Sequence, residues 1–329
     1  MKYNGTILIT GGTAGIGYEC ALDLARSHPK LLILIASRSN PEAAKDINSA
    51  LGQSNVQHLT LDLASQSKIR DFVEDYEKQS FPPLQALVLN AGLQIFVGLT
   101  ETVDGLETTF AVNHVGHVLL FQLLRQFLTK KARIVITASG VHDPAKKTGV
   151  RPPEFTTPEM AAHPSKEKLD QTGNFNGGQG RYSLSKLCNV LWMYALHDHI
   201  KQSSNSWTVT AMDPGLVPGT SLLRDAPFFI RLLAVHVMPH LVPLLRLALM
   251  TNVHRPSESG SALARLAVGT DVQGVSGVYY EGRTPIDSSK DSMVRDWQEA
   301  LWTWTNKQIA KNDQELKSFN FADNCSLVS

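Results

Sequence analysis

A strand-like run, a glycine-rich loop and a helical pattern open the chain, and this order constrains the fold more than any other feature. The run covers residues 6–10, the loop has the spacing G-x-x-x-G-x-G between Gly11 and Gly17, and the helical pattern continues to about Ser27. Glycines let the backbone turn sharply and approach a pyrophosphate, whose charge is stabilised at the helix N-terminus. A tight turn without a ligand is the alternative, but the flanking strand and helix favour a dinucleotide-binding unit.

Apolar runs alternate with helical patterns through most of the chain. Further strand-like runs cover residues 31–36, 56–61, 84–90, 132–137 and 275–280, and helical patterns cover residues 41–51, 65–78, 104–128 and 291–317. This alternation predicts an α/β fold of the Rossmann type, a doubly wound parallel sheet with helices on both faces. With 329 residues and no internal repeat, we expect a single domain, on whose outside Trp297, Trp302 and Trp304 anchor the last helix.

Arg38 follows the second strand-like run, about twenty residues beyond the glycines. An acidic residue at this place would bind the ribose 2′-hydroxyl of NAD, whereas an arginine can pair with the 2′-phosphate of NADP. No Asp or Glu stands in its immediate neighbourhood. The sequence therefore predicts NADP(H) as the cofactor, the alternative being that Arg38 is a solvated loop residue.

Polar residues end the next three strands, where ligands bind in open α/β sheets. Asp62 ends the third, Asn90-Ala91-Gly92 ends the fourth, and Ser139 follows the fifth. Because Ser139 lacks a G-x-S-x-G elbow, we do not expect a hydrolase nucleophile.

Asn113 lies among apolar residues of the long helical pattern at 104–128. A buried amide must be hydrogen-bonded, so Asn113 is either a satisfied core amide or a positioned group of a site. Nearby His114 and His117 are expected to be packing or surface residues rather than metal ligands, because no cluster of cysteines or carboxylates accompanies them. We expect no metal.

Tyr182 and Lys186 are four residues apart in a helical pattern that starts at about Arg181, so they share one face. The pKa of a free tyrosine is about 10, and a cation held close to it lowers that pKa. The pair is therefore a candidate acid/base catalyst, and an ordinary helix face is the alternative.

These motifs together resemble those of the short-chain dehydrogenase/reductase family. The matching residues, in chain order, are Thr10-Gly11-x-x-x-Gly15-Ile16-Gly17, Asn90-Ala91-Gly92, Asn113, Ser139, Tyr182-x-x-x-Lys186 and Asp213-Pro214-Gly215. The resemblance covers residues 5–285. Within the family, the segments around Asn113 and Tyr182 are similar to the retinol dehydrogenase and protochlorophyllide reductase branch.

The resemblance implies that Tyr182 is the general acid in carbonyl reduction and the general base in alcohol oxidation. Lys186 would lower the pKa of Tyr182 and hold the nicotinamide ribose. Ser139 would hydrogen-bond the substrate oxygen, and Asn113 would position a water that links Lys186 to solvent.

The resemblance also implies a set of cofactor contacts. They are Gly11, Gly15, Ile16 and Gly17 for the pyrophosphate, Arg38 for the 2′-phosphate, Asp62 and Leu63 for the adenine, Asn90 for the adjacent ribose region, Lys186 for the nicotinamide ribose, and Pro214 with Thr220 for the carboxamide. Further cofactor contacts are expected from Thr13, Ser37, Ala91, Gly92, Tyr182, Gly215 and Val217. Two departures stand out. Thr13 and Ala14 replace the basic residue of NADP-preferring members, and the step from Gly215 to Thr220 is longer than usual.

Two segments bear on the substrate. Residues 142–180, rich in proline, glycine and charge, form an insertion expected to border the active site and to cover a face that family members use to dimerise. Residues 216–250 are densely apolar, but three prolines and two arginines exclude a clean membrane span. We expect a helical lobe over an apolar substrate pocket, and a surface helix pair that dips into a membrane is the alternative.

Charge and cysteine usage exclude other classes. The net charge of +1 gives no basic field for nucleic acid, and the three cysteines show neither a disulfide framework nor zinc spacing. Without a signal peptide pattern at the N-terminus, a cytoplasmic location is expected.

These observations together predict NADPH-dependent reduction of a ketone or aldehyde on a mostly apolar molecule, by a monomer or homodimer. Oxidation of a steroid- or retinoid-type alcohol is the alternative within enzymes, and light-driven protochlorophyllide reduction is a further option. A catalytically idle NADP-binding regulator is the rival from another class, but it predicts loss of at least one of the four catalytic residues.

Overall fold

Eight strands form one sheet in a computed structural model that describes residues 2–96, 98–165, 174–218, 242, 246 and 252–321. The strands are β1 (Thr6–Thr10), β2 (Leu32–Ser37), β3 (Val56–Thr60), β4 (Leu84–Leu89), β5 (Leu128–Thr137), β6 (Thr208–Asp213), β7 (Val278–Glu281) and β8 (Thr284–Ile286). Their order is β3-β2-β1-β4-β5-β6-β7-β8, with β8 alone antiparallel to its neighbour. The predicted parallel sheet is confirmed.

Helices cover both faces of this sheet. They are α1 (Gly15–Ser27), α2 (Glu42–Leu51), α3 (Gln66–Lys78), α4 (Thr108–Phe110), α5 (Gly116–Leu124), α6 (Pro158–Ala162), α7 (Asn174–Lys201), α8 (Pro256–Val268), α9 (Arg295–Ile309) and α10 (Asp313–Ser318). Successive residues of a strand face opposite sides, so Ile7 joins the core formed with α1, α2 and α8, while Leu8 joins the core formed with α3, α5, α7 and α9. The predicted doubly wound fold is confirmed. The strand order reverses at β1 and β4, which opens a crevice at their carboxyl ends.

The helical pattern at 104–128 is shorter and less regular than expected. Glu107 caps the first turn through the Phe110 amide (2.7 Å), so the helix begins at Thr108, and a π-helical turn, Ala111–Val115, separates α4 from α5. Residues 128–131 belong to β5 instead. The β6 strand and helix α8 were not predicted, and the last parallel strand begins at Val278 rather than at residue 275.

Helix α7 starts at Asn174, seven residues before the predicted start at Arg181. Gly178 lies inside it, and a Cβ there would overlap the carbonyl oxygen of Ile95. Gly178, one of the glycines that suggested a loop, therefore serves a close contact between a helix and the segment after β4. Residues 166–173 of the insertion lie outside the described part of the chain.

The insertion packs mainly against the C-terminal helices. The Phe155 ring lies 5.0 Å from that of Trp297, and the Trp304 indole N–H donates to Glu159 at 2.7 Å. Trp302 is buried and stacks on His199, with ring centres 4.1 Å apart. The tryptophans are packing anchors, as predicted.

The helix expected over residues 291–317 is two helices, α9 and α10. Its interruption lies at residues 310–312, where Ala310 is extended (φ −74°, ψ 134°) and Asn312 caps α10. The expected lobe at 216–250 falls mostly outside the described residues. Among the residues described, no helix combines the length and the apolar character needed to cross a bilayer.

Candidate active site

The glycine loop after β1 provides a cradle that only glycine fits. Gly11 (φ +67°) and Gly15 (φ +54°) adopt left-handed conformations, and a Cβ at Gly11 would lie 2.9 Å from the Cα of Ala91. Helix α1 begins at Gly15 with no side-chain cap and no acidic residue in its first turn. Its N-terminal N–H groups and its dipole therefore suit an anion such as a pyrophosphate, and these residues fit a dinucleotide.

Thr10 joins the ends of the two central strands. Its hydroxyl oxygen accepts hydrogen bonds from the backbone N–H groups of Asn90 (2.9 Å) and Ala91 (3.0 Å). The Asn90 side chain donates to the Thr10 carbonyl (3.0 Å) and accepts from the Thr137 hydroxyl (3.3 Å). The carboxyl ends of β1, β4 and β5 are thereby fixed relative to one another.

A cavity of about 350 Å³ lies at this edge of the sheet. The predicted site residues that line it are Gly11, Thr13, Gly15, Ile16, Ser37, Arg38, Asp62, Leu63, Asn90, Ala91, Gly92, Tyr182, Lys186 and Pro214. Lining residues that were not predicted are Ala14, Ala36, Ser39, Asn40, Leu61, Ala64, Leu93, Val112, Thr137 and Ala138. Gly17 lies behind the loop, where a Cβ would overlap the Gly11 carbonyl oxygen.

Arg38 lies at the outer end of the cavity. It is exposed and, within the described ranges, makes neither a hydrogen bond nor a salt bridge. Burial raises the pKa of nearby Asp62, but the hydrogen bond from Lys68 (2.9 Å) and the charge of Arg38 outweigh it, so the net shift is downward. The Arg38 guanidinium is thus available to an anion.

Tyr182 and Lys186 lie at the inner end, both buried, on one face of α7 as predicted. The Lys186 ammonium donates to the Thr137 carbonyl at 2.9 Å and lies 5.6 Å from the centre of the Tyr182 ring. The Ser139 side chain is near enough to the Tyr182 phenol to act on its pKa, in the lowering direction. The structure thus brings these three predicted residues together.

The pKa of Tyr182 differs from the expectation. Lys186 was expected to lower it, but burial raises it above the ordinary value, and the Asp213 carboxylate raises it further. Burial also lowers the pKa of Lys186 to about 8, against an opposing effect of Asp213. Burial is the largest cause of both shifts, and the phenol form of Tyr182 is favoured at neutral pH.

Asn113 does not reach the cavity. Its side chain accepts from the Leu93 N–H (2.8 Å) and donates to the Leu93 carbonyl (2.9 Å) and to Ser185 (3.0 Å), so it is a satisfied amide that holds the segment after β4. The backbone carbonyl oxygen of Asn113 lies 3.1 Å from Nδ1 of His117. The Nε2 atom of the same imidazole is 2.9 Å from the Thr10 hydroxyl oxygen.

His114 and His117 are buried packing residues, not surface residues. Burial lowers the pKa of His114 to about 3 and that of His117 to about 4. In the part of the chain that is described, no three His, Cys, Asp or Glu side chains gather as a metal site would require.

The segment after β6 matches the expected contacts only in part. Pro214 lines the cavity, whereas Gly215 packs on Asn252 and Val217 lies away from the lining residues. Thr220 lies outside the described residues.

Three site residues carried no assigned role at the sequence level. Thr10 was only part of a motif. Thr137 acts through its backbone carbonyl, which leaves no side-chain signal, and Asp213 is a buried carboxylate at the end of β6. An acidic residue directly before Pro-Gly was the available signal for Asp213.

Comparison with known proteins gives a consistent picture. A family model described as short chain dehydrogenase matches residues 5–148. The chain is 31% identical to polyprenol dehydrogenase of Danio rerio over 314 residues, which cover 92% of this chain and 86% of that protein. It is 30% identical to the chloroplastic protochlorophyllide reductase A of Oryza sativa subsp. japonica over 292 residues, which cover 84% and 72%.

Among solved structures, a short-chain dehydrogenase of Shigella flexneri complexed with NADP has a TM-score of 0.57 at 19% identity, over 84% of this chain and 96% of that one. This likeness concerns the fold. The alignments with the two relatives cover most of this chain and most of each relative, at 30% identity or more. The chain therefore belongs to the short-chain dehydrogenase/reductase family, in the branch that includes protochlorophyllide reductase, and is an NAD(P)-dependent oxidoreductase.

Proposed function

We propose that this protein uses NADPH to reduce a ketone or aldehyde on a mostly apolar small molecule. The observation that carries the proposal is the arrangement of Tyr182, near Ser139 and beside Lys186, at the inner end of a cavity whose outer end holds Arg38. Tyr182 is a phenol at neutral pH and so has a proton to donate, and the Lys186 ammonium, 5.6 Å from the centre of its ring, can stabilise the phenolate that is left after the transfer.

Each side chain then has a defined task. Bound nicotinamide supplies the hydride. Tyr182 donates the proton to the substrate oxygen, and Ser139 hydrogen-bonds the same oxygen as negative charge develops there. Lys186 places a positive charge beside the phenol and a donor near the ribose. Asn113 holds the cavity wall through Leu93 and, by resemblance, positions a water that links Lys186 to solvent.

The choice of NADP over NAD rests on Arg38. Its exposed guanidinium can form a charge-assisted pair with a 2′-phosphate. No acidic residue takes the place after β2 that would bind the 2′-hydroxyl of NAD, since Ser37, Arg38 and Ser39 occupy it. The remaining cavity-lining glycines and strand-end residues form the rest of the cofactor site.

Oxidation of an apolar alcohol is the second candidate. The same site permits it, because Tyr182 would act as a base when the reaction runs in reverse. The relative named polyprenol dehydrogenase favours it, since that name describes a long apolar alcohol as substrate. The apolar residues 216–250 agree with an apolar substrate in either direction.

A substrate screen tests the proposal. The purified protein is mixed with NADPH and ketones, quinones, steroids, retinals and prenyl aldehydes, and in separate reactions with NADP⁺ and the corresponding alcohols. NADPH absorbance is followed, with NADH in parallel. The proposal predicts carbonyl-dependent NADPH oxidation that is faster than NADH oxidation. Turnover confined to alcohols with NADP⁺ would favour the second candidate, and turnover of neither class would contradict both.

A further inference from the structure

Four side chains with full formal charges are buried in the described part of the protein: Glu107, Arg181, Lys186 and Asp213, none more than 8% exposed. Burying a charge without a partner costs several kcal/mol, so buried charges are normally paired. Glu107 and Arg181 pair directly, with 3.2 Å between Oε1 and Nε. The other two buried charged side chains are Lys186 and Asp213. They carry opposite charges, and neither forms a salt bridge within the described ranges.

Asp213 and Lys186 lie at the ends of neighbouring strands. Lys186 donates to the carbonyl of Thr137, and Thr137 pairs in the sheet with Met212, the residue before Asp213. A Cβ at Gly140, next to Ser139, would lie 2.7 Å from Oδ2 of Asp213. The carboxylate is therefore next to the turn that carries the substrate-binding serine.

We infer that Asp213 is the counter-charge of Lys186 in the active site: its buried carboxylate keeps Lys186 in the ammonium form. This assignment rests on the proposed function for its role in catalysis. It makes Asp213 a positioning residue, because it acts through Lys186.

The hydrogen bonds of Asp213 come from two donors near the end of β6. Its Oδ1 accepts from the Gly215 N–H (2.9 Å) and its Oδ2 from the Asn252 amide (2.8 Å), and both donors are neutral. Donors of this kind stabilise a carboxylate without cancelling its charge. The negative charge is thus left to act on its surroundings.

The charge of Asp213 acts on the pKa of Lys186 and on that of Tyr182. Burial lowers the pKa of Lys186 and the Asp213 carboxylate raises it, while for Tyr182 burial and Asp213 both raise the pKa. The other titratable or charged groups around the three are His117, His142, Asp143, Lys146, Tyr279 and Glu281. Lys146 and Glu281 neutralise each other at 2.6 Å, and burial lowers the pKa of both histidines.

A purely structural role for Asp213 is the competing explanation. The backbone carbonyl of Asn252 accepts a hydrogen bond from the Leu216 N–H (2.9 Å), which joins residues 216 and 252 on either side of the undescribed part of the chain. The Asp213–Asn252 contact could therefore serve only to anchor this segment. The test must separate loss of charge from loss of the contact.

The test measures the titration of Lys186 by NMR in cofactor-free protein that carries lysine labelled with carbon-13 at Cε, the Lys186 signal being assigned by Lys186→Met. Asp213→Asn and the smaller Asp213→Ser both remove the charge. Asn252→Ala breaks the same contact but keeps the charge, and Asp143→Asn removes a carboxylate that does not act on Lys186.

The midpoint of the Lys186 titration, which is its pKa, should be about 8 in the parent protein. It should fall by about half a unit or more in either Asp213 variant, a roughly threefold drop in the ammonium-to-amine ratio at fixed pH. It should stay in place in Asn252→Ala and Asp143→Asn. An unchanged midpoint in a folded Asp213 variant, or an equal shift in Asn252→Ala, would overturn the inference. Because no turnover is measured, this outcome is independent of the substrate screen.

Discussion

Arg38 is the residue on which the cofactor choice depends. Its guanidinium is exposed at the outer end of the cavity, and hydrogen bonds to charged groups are worth about 1.5–3 kcal/mol each. We therefore expect Arg38→Ala to weaken NADPH binding roughly tenfold to a hundredfold and to leave NADH binding nearly unchanged. Titration of protein fluorescence with each nucleotide measures both affinities.

Lys45→Ala is the matched control. Lys45 is also an exposed cation near this edge, but it pairs with Glu42 at 2.7 Å and does not line the cavity. Its removal should affect neither nucleotide. Equal losses of NADPH and NADH affinity in Arg38→Ala would show that Arg38 does not bind the 2′-phosphate.

At the scale of single residues, side-chain type and position were enough to find most of the cavity. Asp62, Asn90 and Ser139 were predictable because each ends a strand on one edge of a parallel sheet. The raised pKa of Tyr182 was not, because burial depends on the packing of the whole domain. The hydrogen bond from Lys186 to the Thr137 carbonyl was not predictable either, because a backbone acceptor gives no signal in the sequence.

At the scale of elements, Gly178 lets helix α7 pack closely against the segment after β4. Gly178→Ala places a Cβ against the Ile95 carbonyl and Phe96, which are backbone atoms that cannot move alone. We expect a loss of about 1–3 kcal/mol in the free energy of unfolding, measured by urea denaturation.

Gly180→Ala, one half-turn further along the same helix, provides the comparison. Its Cβ would meet only the flexible side chain of Arg151, at 3.2 Å, and alanine is about 1 kcal/mol better than glycine inside a helix. This variant should be neutral or more stable than the parent. A Gly178→Ala protein as stable as Gly180→Ala would contradict the described contact.

The elements that the sequence predicted well are those with a strong apolar pattern. Strands β1, β2 and β4 are continuous apolar runs, as expected of strands buried on both faces. Strand β6 alternates threonine with apolar residues and was missed. The helical residues before Arg181 were missed because glycines normally punctuate loops, whereas Gly178 is required here by a tertiary contact with Ile95 and Phe96.

At the scale of the whole molecule, Arg70 and Glu315 tie the C-terminal helix α10 to α3. Two parallel hydrogen bonds of 2.6 and 2.9 Å join their side chains, and Arg70 also donates to the Ile309 carbonyl (2.6 Å). Both side chains are largely buried, so we expect Glu315→Gln to lower the free energy of unfolding by about 1–3 kcal/mol at pH 7.

This contribution depends on pH in a defined direction. Burial raises the pKa of Glu315, but Arg70 and the Lys311 N–H outweigh it, so the folded pKa lies below the ordinary value of about 4.3. The stabilisation is therefore present above that value and is lost as the pH falls through the folded pKa. Urea denaturation at pH 7 and at pH 3 should show the parent and Glu315→Gln converging at low pH.

Glu42→Gln removes the exposed partner of Lys45 and should change stability by less than about 0.5 kcal/mol. A difference between parent and Glu315→Gln that persists undiminished at pH 3 would contradict the ion pair. The sequence could not predict this pair, because its partners are 245 residues apart and only the fold brings them together.

The central claim is that Tyr182 donates the proton in an NADPH-dependent reduction. Tyr182→Phe keeps the ring and the cavity and removes only the hydroxyl group. The measurement is the rate of NADPH oxidation with a carbonyl substrate found by the screen, together with the affinity for NADPH. We predict NADPH binding close to that of the parent and a rate lower by about 10²–10⁴-fold, whereas a rate near that of the parent would contradict the account.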